Sequence, residues 1–490
     1  MYMLAVDQST SATKALIFDT SGTVIDKTAL DHQQYYPRSG WVEHDAGEIY
    51  QNTLRVLGIL LKKHPDKSFI CLSITNQRET FVVFDKSTGE PLYHAIVWQC
   101  RRGEPTCRRL TEAGHEQEVQ NITGLKIDTY FPASKITWLL EARPDIRQKL
   151  ETGQALLGTI ETYLIYRLTG GVSFVSDHTN ACRTLLYNIN TLDWSETLCA
   201  LFGVPLHALA EVRESSAHFG ETDFEGLLGK PIPICGVMGD SQAALFAERC
   251  FEPGSTKVTF GTGSSILMNI GHQVKQSANG MVTTPGWSYQ GQPTYAFEGI
   301  INFTGATIAW MRDQMRLIDS PEETEALAMT VEDNGGVYLV PAFVGLSAPY
   351  WQPNIRAAIF GLTPASTKNH IVRAALESIA YQVTDVLELM KSESGFTLEH
   401  IHADGGMVNN RFLMQFVADM TGFRVRASHL PELSALGAVM SGMLGVNIHD
   451  SLASLATLPH QFTDYDPHMS AEQREKNYTG WKQAVEQLLK

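Results

Sequence analysis

Several short polar stretches of this chain hold side chains suited to phosphate and hydroxyl chemistry. Asp7-Gln8-Ser9-Thr10-Ser11-Ala12-Thr13-Lys14 sets a carboxylate at the end of an apolar run, hydroxyls in a tight turn, and an ammonium just beyond. Such a turn aims N–H and O–H donors at a phosphate, and Lys14 adds positive charge. The Asp7 carboxylate suits Mg²⁺, held directly or through water. An ordinary exposed hairpin rich in Ser and Thr has the same composition. Gly261-Thr262-Gly263 and Asp404-Gly405-Gly406 are two further candidate phosphate turns. Glycine permits close backbone approach, and helix N-termini favour nucleotides. Each also occurs in plain turns, so three together say more than any one.

Gly239-Asp240-Ser241-Gln242 follows the apolar run Ile232 to Met238 and precedes a helical stretch, Ala243 to Ala247. Asp240 is placed there either to cap a helix or to take the proton of a hydroxyl nucleophile during phosphoryl transfer. Asn76-Gln77-Arg78-Glu79 and Trp98-Gln99-Cys100-Arg101-Arg102 end apolar runs in hydrogen-bonding groups. A polyol needs paired donors and acceptors beside a flat apolar wall. Arg78, Glu79 and Trp98 supply that set, although a surface ion pair and a core tryptophan would look alike.

The elements that position these groups alternate between strand and helix. Met3 to Val6 and Ala15 to Phe18 read as strands around the first turn, with a second turn at Asp19 to Gly22. The plan returns about 250 residues on, with strands at Lys257 to Phe260 and Ile266 to Ile270 around Gly261 to Ser265. Phe69 to Thr75 and Ala95 to Trp98 read as strands. Leu156 to Leu168, Arg373 to Met390 (closed by Gly395), Phe412 to Met420 and Ala435 to Leu444 read as helices. The sequence therefore predicts an α/β architecture of two similar domains, 1–247 and 248–490, divided near Pro253-Gly254.

Bulk properties narrow the function. A chain of 490 residues exceeds one ordinary core. A net charge of −15 argues against a nucleic-acid partner, which needs a basic surface. None of the seven cysteines forms a CxxC pair, which predicts buried thiols in a reducing compartment and no zinc site. No stretch reaches the roughly 20 apolar residues of a membrane span. The expectation is a cytoplasmic protein, with no membrane partner and with homo-oligomerisation left open.

The chain resembles the FGGY carbohydrate kinases over its whole length. The resemblance rests on Ile74 to Thr80, Ile96 to Arg102, Gly40 to Asp45, Pro349-Tyr350-Trp351, Asp404-Gly405-Gly406, and the run Ala357 through Phe360-Gly361-Leu362 and His370 to Glu377. It implies two actin-like, ribonuclease-H-type ATPase domains with ATP and substrate in the cleft between them. It implies Mg-ATP phosphates near Asp7, Thr10, Ser11, Thr13, Lys14 and Thr262, and adenosine near Gly305, Gly406 and Asn410. It places a polyol against Arg78, Glu79, Trp98, Tyr130 and Asp240, with Asp240 as base and, with Asp7, near the metal. The implied activity is ATP-dependent phosphorylation of a small polyol, glycerol first. Two positions depart from the glycerol-specific pattern. Ser241 stands where that pattern has Gln, and Ser265 where it has Phe. A four- or five-carbon polyol or ketose is therefore the alternative substrate, and a non-catalytic actin-like ATP-binding protein the remote one. The loop Phe224 to Pro231 also lacks the Gly-Thr-Arg pattern that some members use to bind fructose 1,6-bisphosphate.

Overall fold

The computed structural model describes residues 1–352 and 354–490. Its architecture is built on two large mixed sheets with helices packed on their faces, beside a five-stranded antiparallel sheet and smaller two-stranded ones. The first sheet centres on β1 (Tyr2–Gln8), a strand whose last six residues are all buried. Antiparallel β2 (Ala12–Asp19) and β3 (Val24–Asp31) lie to one side of it. Parallel β4 (Phe69–Asn76) and β5 (Ile232–Gly239) lie to the other, with His218–Thr222 at the edge. Strands covered on both faces are expected to read as unbroken apolar runs, and β1, β4 and β5 do. The edge strand β3 instead alternates half-buried and exposed residues.

The second sheet repeats the plan. β6 (Thr256–Phe260) is its centre, with β7 (Ser264–Gly271) and β8 (Gln292–Ile301) antiparallel on one side. β9 (His400–Asp404) and β10 (Arg424–Ser428) run parallel on the other. The orders β3-β2-β1-β4-β5 and β8-β7-β6-β9-β10 match strand for strand, as the ribonuclease-H-type expectation requires.

Two helices bear on the site. Lys368–Ser394 is capped by a reciprocal Thr367–His370 box and ends at Gly395, whose φ of 72° suits glycine. Leu433–Gly445 is apolar on nearly every face and buried at eleven positions, yet it comes from the second half of the chain. It packs on β1, β4 and β5 of the first sheet and against the helix Asp240–Ala247. Gly437 permits that approach, because a Cβ there would collide with the Ala243 carbonyl.

Two expectations are corrected. Leu156 to Leu168 is not one helix: Ala155–Thr159 is a strand paired with Phe81–Asp85, and the helix is Ile160–Leu168. A short apolar run has no period that distinguishes a strand from a helix turn, and the neighbouring strand decides. Ala95 to Trp98 keeps only Ala95–Ile96 as strand.

Candidate active site

The ends of the central strands face one cleft of about 520 Å³. From the first sheet it receives Asp7 and Lys14, opposite one another across β1 and β2. From the second it receives Thr259, Ser265 and Asp404, neighbours across β6, β7 and β9. Asp240 and Ser241 enter from the helix that follows β5. Asp7, Lys14, Asp240, Ser241 and Ser265 are thus brought together as the sequence suggested.

Asp240 is the first residue of its helix rather than its cap, a place Gly239 takes. Its side chain is 41% exposed and lies 3.4 Å from the Arg78 Nε. The Ser241 amide donates to it at 2.6 Å, and Ser434 Oγ donates to its backbone carbonyl at 3.0 Å. The carboxylate is therefore fixed yet open to the cleft.

Asp7 is buried, which pushes its carboxyl up to about 6, while Lys14 at 3.4 Å pulls it down and Asp240 adds repulsion. Burial likewise raises Asp404 to about 6 against the pull of Lys257. Lys257 donates to Thr259 Oγ1 at 2.6 Å, and that hydroxyl donates to Asp404 at 3.0 Å. Mg²⁺ usually keeps several waters and needs one or two protein carboxylates beside substrate phosphates. Asp7 and Asp240 fit that demand, since their mutual repulsion is what a cation would relieve. Among the described residues, no group of three or more His, Cys, Asp or Glu forms a self-sufficient metal cage.

A carboxylate whose folded pKa is raised costs stability once ionised. Asp7→Asn should therefore raise the melting temperature of the ligand-free protein at pH 7.5. The gain should shrink at pH 5, between the unfolded and folded pKa values, and vanish only below about pH 3.8, where the carboxyl is protonated in both states. A lower melting temperature at pH 7.5 would show that the Lys14 attraction outweighs burial.

The other expected residues fall into three places. Arg78 and Glu79 are buried beneath Asp240, outside the cleft lining. Arg78 donates to Gln242 Oε1 at 2.9 Å and to Glu298 Oε1 at 2.7 Å. Glu79, in left-handed backbone at φ 63°, accepts from Arg183 Nε at 2.6 Å. Trp98 and Tyr130 meet edge to face at 5.4 Å, and the Trp98 Nε1 donates to Thr10 Oγ1 at 3.0 Å. Thr10 and Ser11 form the β1–β2 hairpin tip. Thr13 lies on the opposite face of β2 from Lys14, because neighbours along a strand alternate, and is fully buried away from the cleft.

The two glycine turns converge with Gly305, the first residue of the helix Gly305–Asp313. The Gly305 amide donates to the Gly261 carbonyl at 3.0 Å, and the Ala306 amide to the Thr262 carbonyl at 2.9 Å. Gly405, at φ 95°, passes so close to Phe260 that no Cβ fits. Gly406 is exposed beside it. Asn410 uses its side chain to cap the helix Arg411–Thr421 and to bond Thr324.

Sequence reasoning missed Gln242, Glu298 and Arg183 behind the polyol residues, and Lys257, Thr259 and Glu432 in the cleft. Glu432, at φ 57°, binds Lys14 at 2.8 Å and Lys27 at 2.9 Å. Its left-handed backbone has no local sequence signal.

The N-terminal domain model of the FGGY family of carbohydrate kinases matches residues 2–247, and the C-terminal domain model matches 256–446. The chain is 45% identical over 491 residues to glycerol kinase 1 of Thermotoga maritima, covering all of both. It is 44% identical over 490 residues to the glycerol kinase of Stenotrophomonas maltophilia, covering all of this chain and 98% of that one. Among solved structures, Plasmodium falciparum glycerol kinase with ADP superposes at a TM-score of 0.96 and 36% identity, covering 100% of this chain and 98% of that one. A xylulose kinase from Lactobacillus acidophilus, 20% identical at a TM-score of 0.87 over 98% of this chain and 95% of its own, shares the fold.

Proposed function

Because the chain belongs to the FGGY family of carbohydrate kinases, we propose that it transfers the γ-phosphoryl group of ATP to a hydroxyl of a small polyol, with glycerol as first substrate. The observation that carries this reading is the Asp240 carboxylate, open to the same cleft as Asp7 and Lys14 and braced by Arg78. The full-length glycerol kinase relatives support the substrate.

The polyol hydroxyl attacks the γ-phosphorus in line with the departing ADP. As that O–P bond forms and the bond to ADP breaks, the hydroxyl proton passes to Asp240. Lys14 and the donors of the Thr10-Ser11 turn bind phosphate oxygens, and Thr262 approaches from the second sheet. Gly305, Gly406 and the segment at Asn410 border the adenosine. Asp7 and Asp240 would hold Mg²⁺, which neutralises phosphate charge when bound. By the family resemblance, Trp98 and Tyr130 wall the carbon chain and Arg78 and Glu79 bind its hydroxyls, which requires the polyol to reach past Asp240 to side chains that are buried in this structure. The two parts divide at 247/248, so closing the cleft around both substrates excludes water, which would otherwise accept the phosphoryl group. Among the described residues, no helix is long and apolar enough to cross a membrane.

Ser241 and Ser265 favour a second reading for substrate size. Both line the cleft, both are small, and among the described residues the Ser265 hydroxyl has no hydrogen-bond partner. A substrate with one or two further CHOH units would reach them and displace water. The test of both readings is ADP release, as kcat/KM, with glycerol, erythritol, threitol, ribitol, xylitol and xylulose. The experiment compares wild type with the Ser241→Gln/Ser265→Phe double variant. Turnover with none of them sinks the kinase reading. A wide wild-type margin for glycerol sinks the longer substrate. A four- or five-carbon substrate matching glycerol, with a shift toward glycerol in the double variant, supports it.

A further inference from the structure

Lys135, on the helix Pro132–Ala142, is wholly buried, and its partners are carbonyls rather than carboxylates. Its ammonium donates to the backbone oxygens of Val97 at 3.4 Å, Trp98 at 3.3 Å and Tyr130 at 3.1 Å. A buried cation without a counter-ion is costly, and a methionine would fill the same volume without that cost. What the lysine alone provides is three donors that join two separate segments. Those segments carry the two rings that meet edge to face, and the Trp98 ring reaches on to the Thr10 hydroxyl of the β1–β2 turn.

We propose that Lys135 is a positioning residue that sets the spacing of the Trp98 and Tyr130 rings and thereby the affinity for the polyol. This rests on the reading that these rings wall the polyol. Cys100 faces the ammonium from the Trp98 segment, and Asp128 from the loop before Tyr130. Cys107 faces it from the helix Glu104–Glu112, and Glu79 from the end of β4. Burial brings the ammonium down to about 8, with these four pulling weakly the other way. Burial pushes the Cys107 thiol up to about 11, so it stays neutral through this range. Above pH 8 the neutral amine keeps two N–H donors for three carbonyls, and one wall loses its tether.

The sign of the stability change separates this effect from unfolding. The unfolded lysine holds its proton to higher pH than the folded one. Between pH 8 and 10 the stability cost of burying this lysine therefore falls as pH rises, so the fold is strengthened rather than weakened over this range. Affinity for the polyol should fall while the fold holds.

The experiment measures KM for glycerol and for ATP at pH 7 and pH 9, with melting temperatures, in full-length wild type, Lys135→Met and Trp98→Ala. In wild type the glycerol KM should rise about three- to tenfold at pH 9, the worth of one hydrogen bond, while the ATP KM holds. Lys135→Met should start with a glycerol KM about tenfold higher at pH 7 and show no further rise. Glycerol and ATP KM moving together, or a wild-type pH dependence retained in Lys135→Met, would overturn the proposal. Should Lys135→Met fail to fold, a flat wild-type profile overturns it alone. If Trp98→Ala leaves the glycerol KM unchanged, the placement of the polyol is at fault. If Trp98→Ala raises it and Lys135→Met does not, the role of Lys135 is.

Discussion

Asp240→Asn is expected to keep ATP binding and to lose turnover by roughly a hundredfold or more, the usual worth of a positioned general base. Asparagine has the same shape. Its amide oxygen still accepts from the Ser241 amide and still faces Arg78, so the helix start and the buried network stay in place. The side chain is 41% exposed, so the fold loses little. What disappears is the group that takes the hydroxyl proton as the phosphoryl group transfers. The fall belongs in kcat, with the KM for ATP near wild type, because the base acts in the transition state. Rapid-quench measurement of polyol phosphate, beside calorimetric titration with ATP, separates the two. Near-wild-type turnover in this variant would remove Asp240 from the role of base.

Glu298→Gln should destabilise the protein by about 3–5 kcal/mol, the range for removing one member of a buried charge network. Glu298 has no exposed side-chain surface and meets Arg78 at 2.7 Å and Arg183 at 2.6 Å. Burial works to raise its carboxyl, and the Arg183 and Arg78 guanidinium groups overcome that and hold it at about 2. A glutamine leaves two buried guanidinium groups with Glu79 between them and only the partly exposed Asp240 carboxylate beside Arg78. Because the folded pKa lies below the ordinary carboxylate value, this contribution is complete above about pH 4.5 and is lost as pH falls toward 2. Urea unfolding should show the full deficit at pH 7 and a smaller one at pH 3. A deficit under about 1 kcal/mol at pH 7 would mean that water or a neighbouring group compensates the arginines. Activity should fall as well, since Arg78 braces Asp240.

Much of the molecule was legible locally. Apolar runs that end in Asp7, Asn76, Phe260 and Gly239 announced the central strands. Turn chemistry at Ser9 to Ala12 and Gly261 to Gly263 announced the hairpins between them. Asp240 stood out because a strand followed by a helix start puts a short acid where an open cleft begins. Where the local signal was ambiguous it failed. Ala155–Thr159 is a strand only because Phe81–Asp85 lies beside it.

The sequence by itself determined the two repeated sheets and the strand ends at which reactive groups gather, because hydrophobic period and turn residues act over a few positions. Only the tertiary structure decided which charges are buried together. Lys14 meets Glu432 across 418 positions, and Arg78 meets Glu298 across 220. Lys135 reaches Trp98 through a backbone carbonyl that no residue type encodes. The energy of a buried charge depends on the partner within a few ångströms. That partner exists only once the Leu433–Gly445 helix has crossed to the first sheet and β8 has brought Glu298 against Arg78 and Arg183.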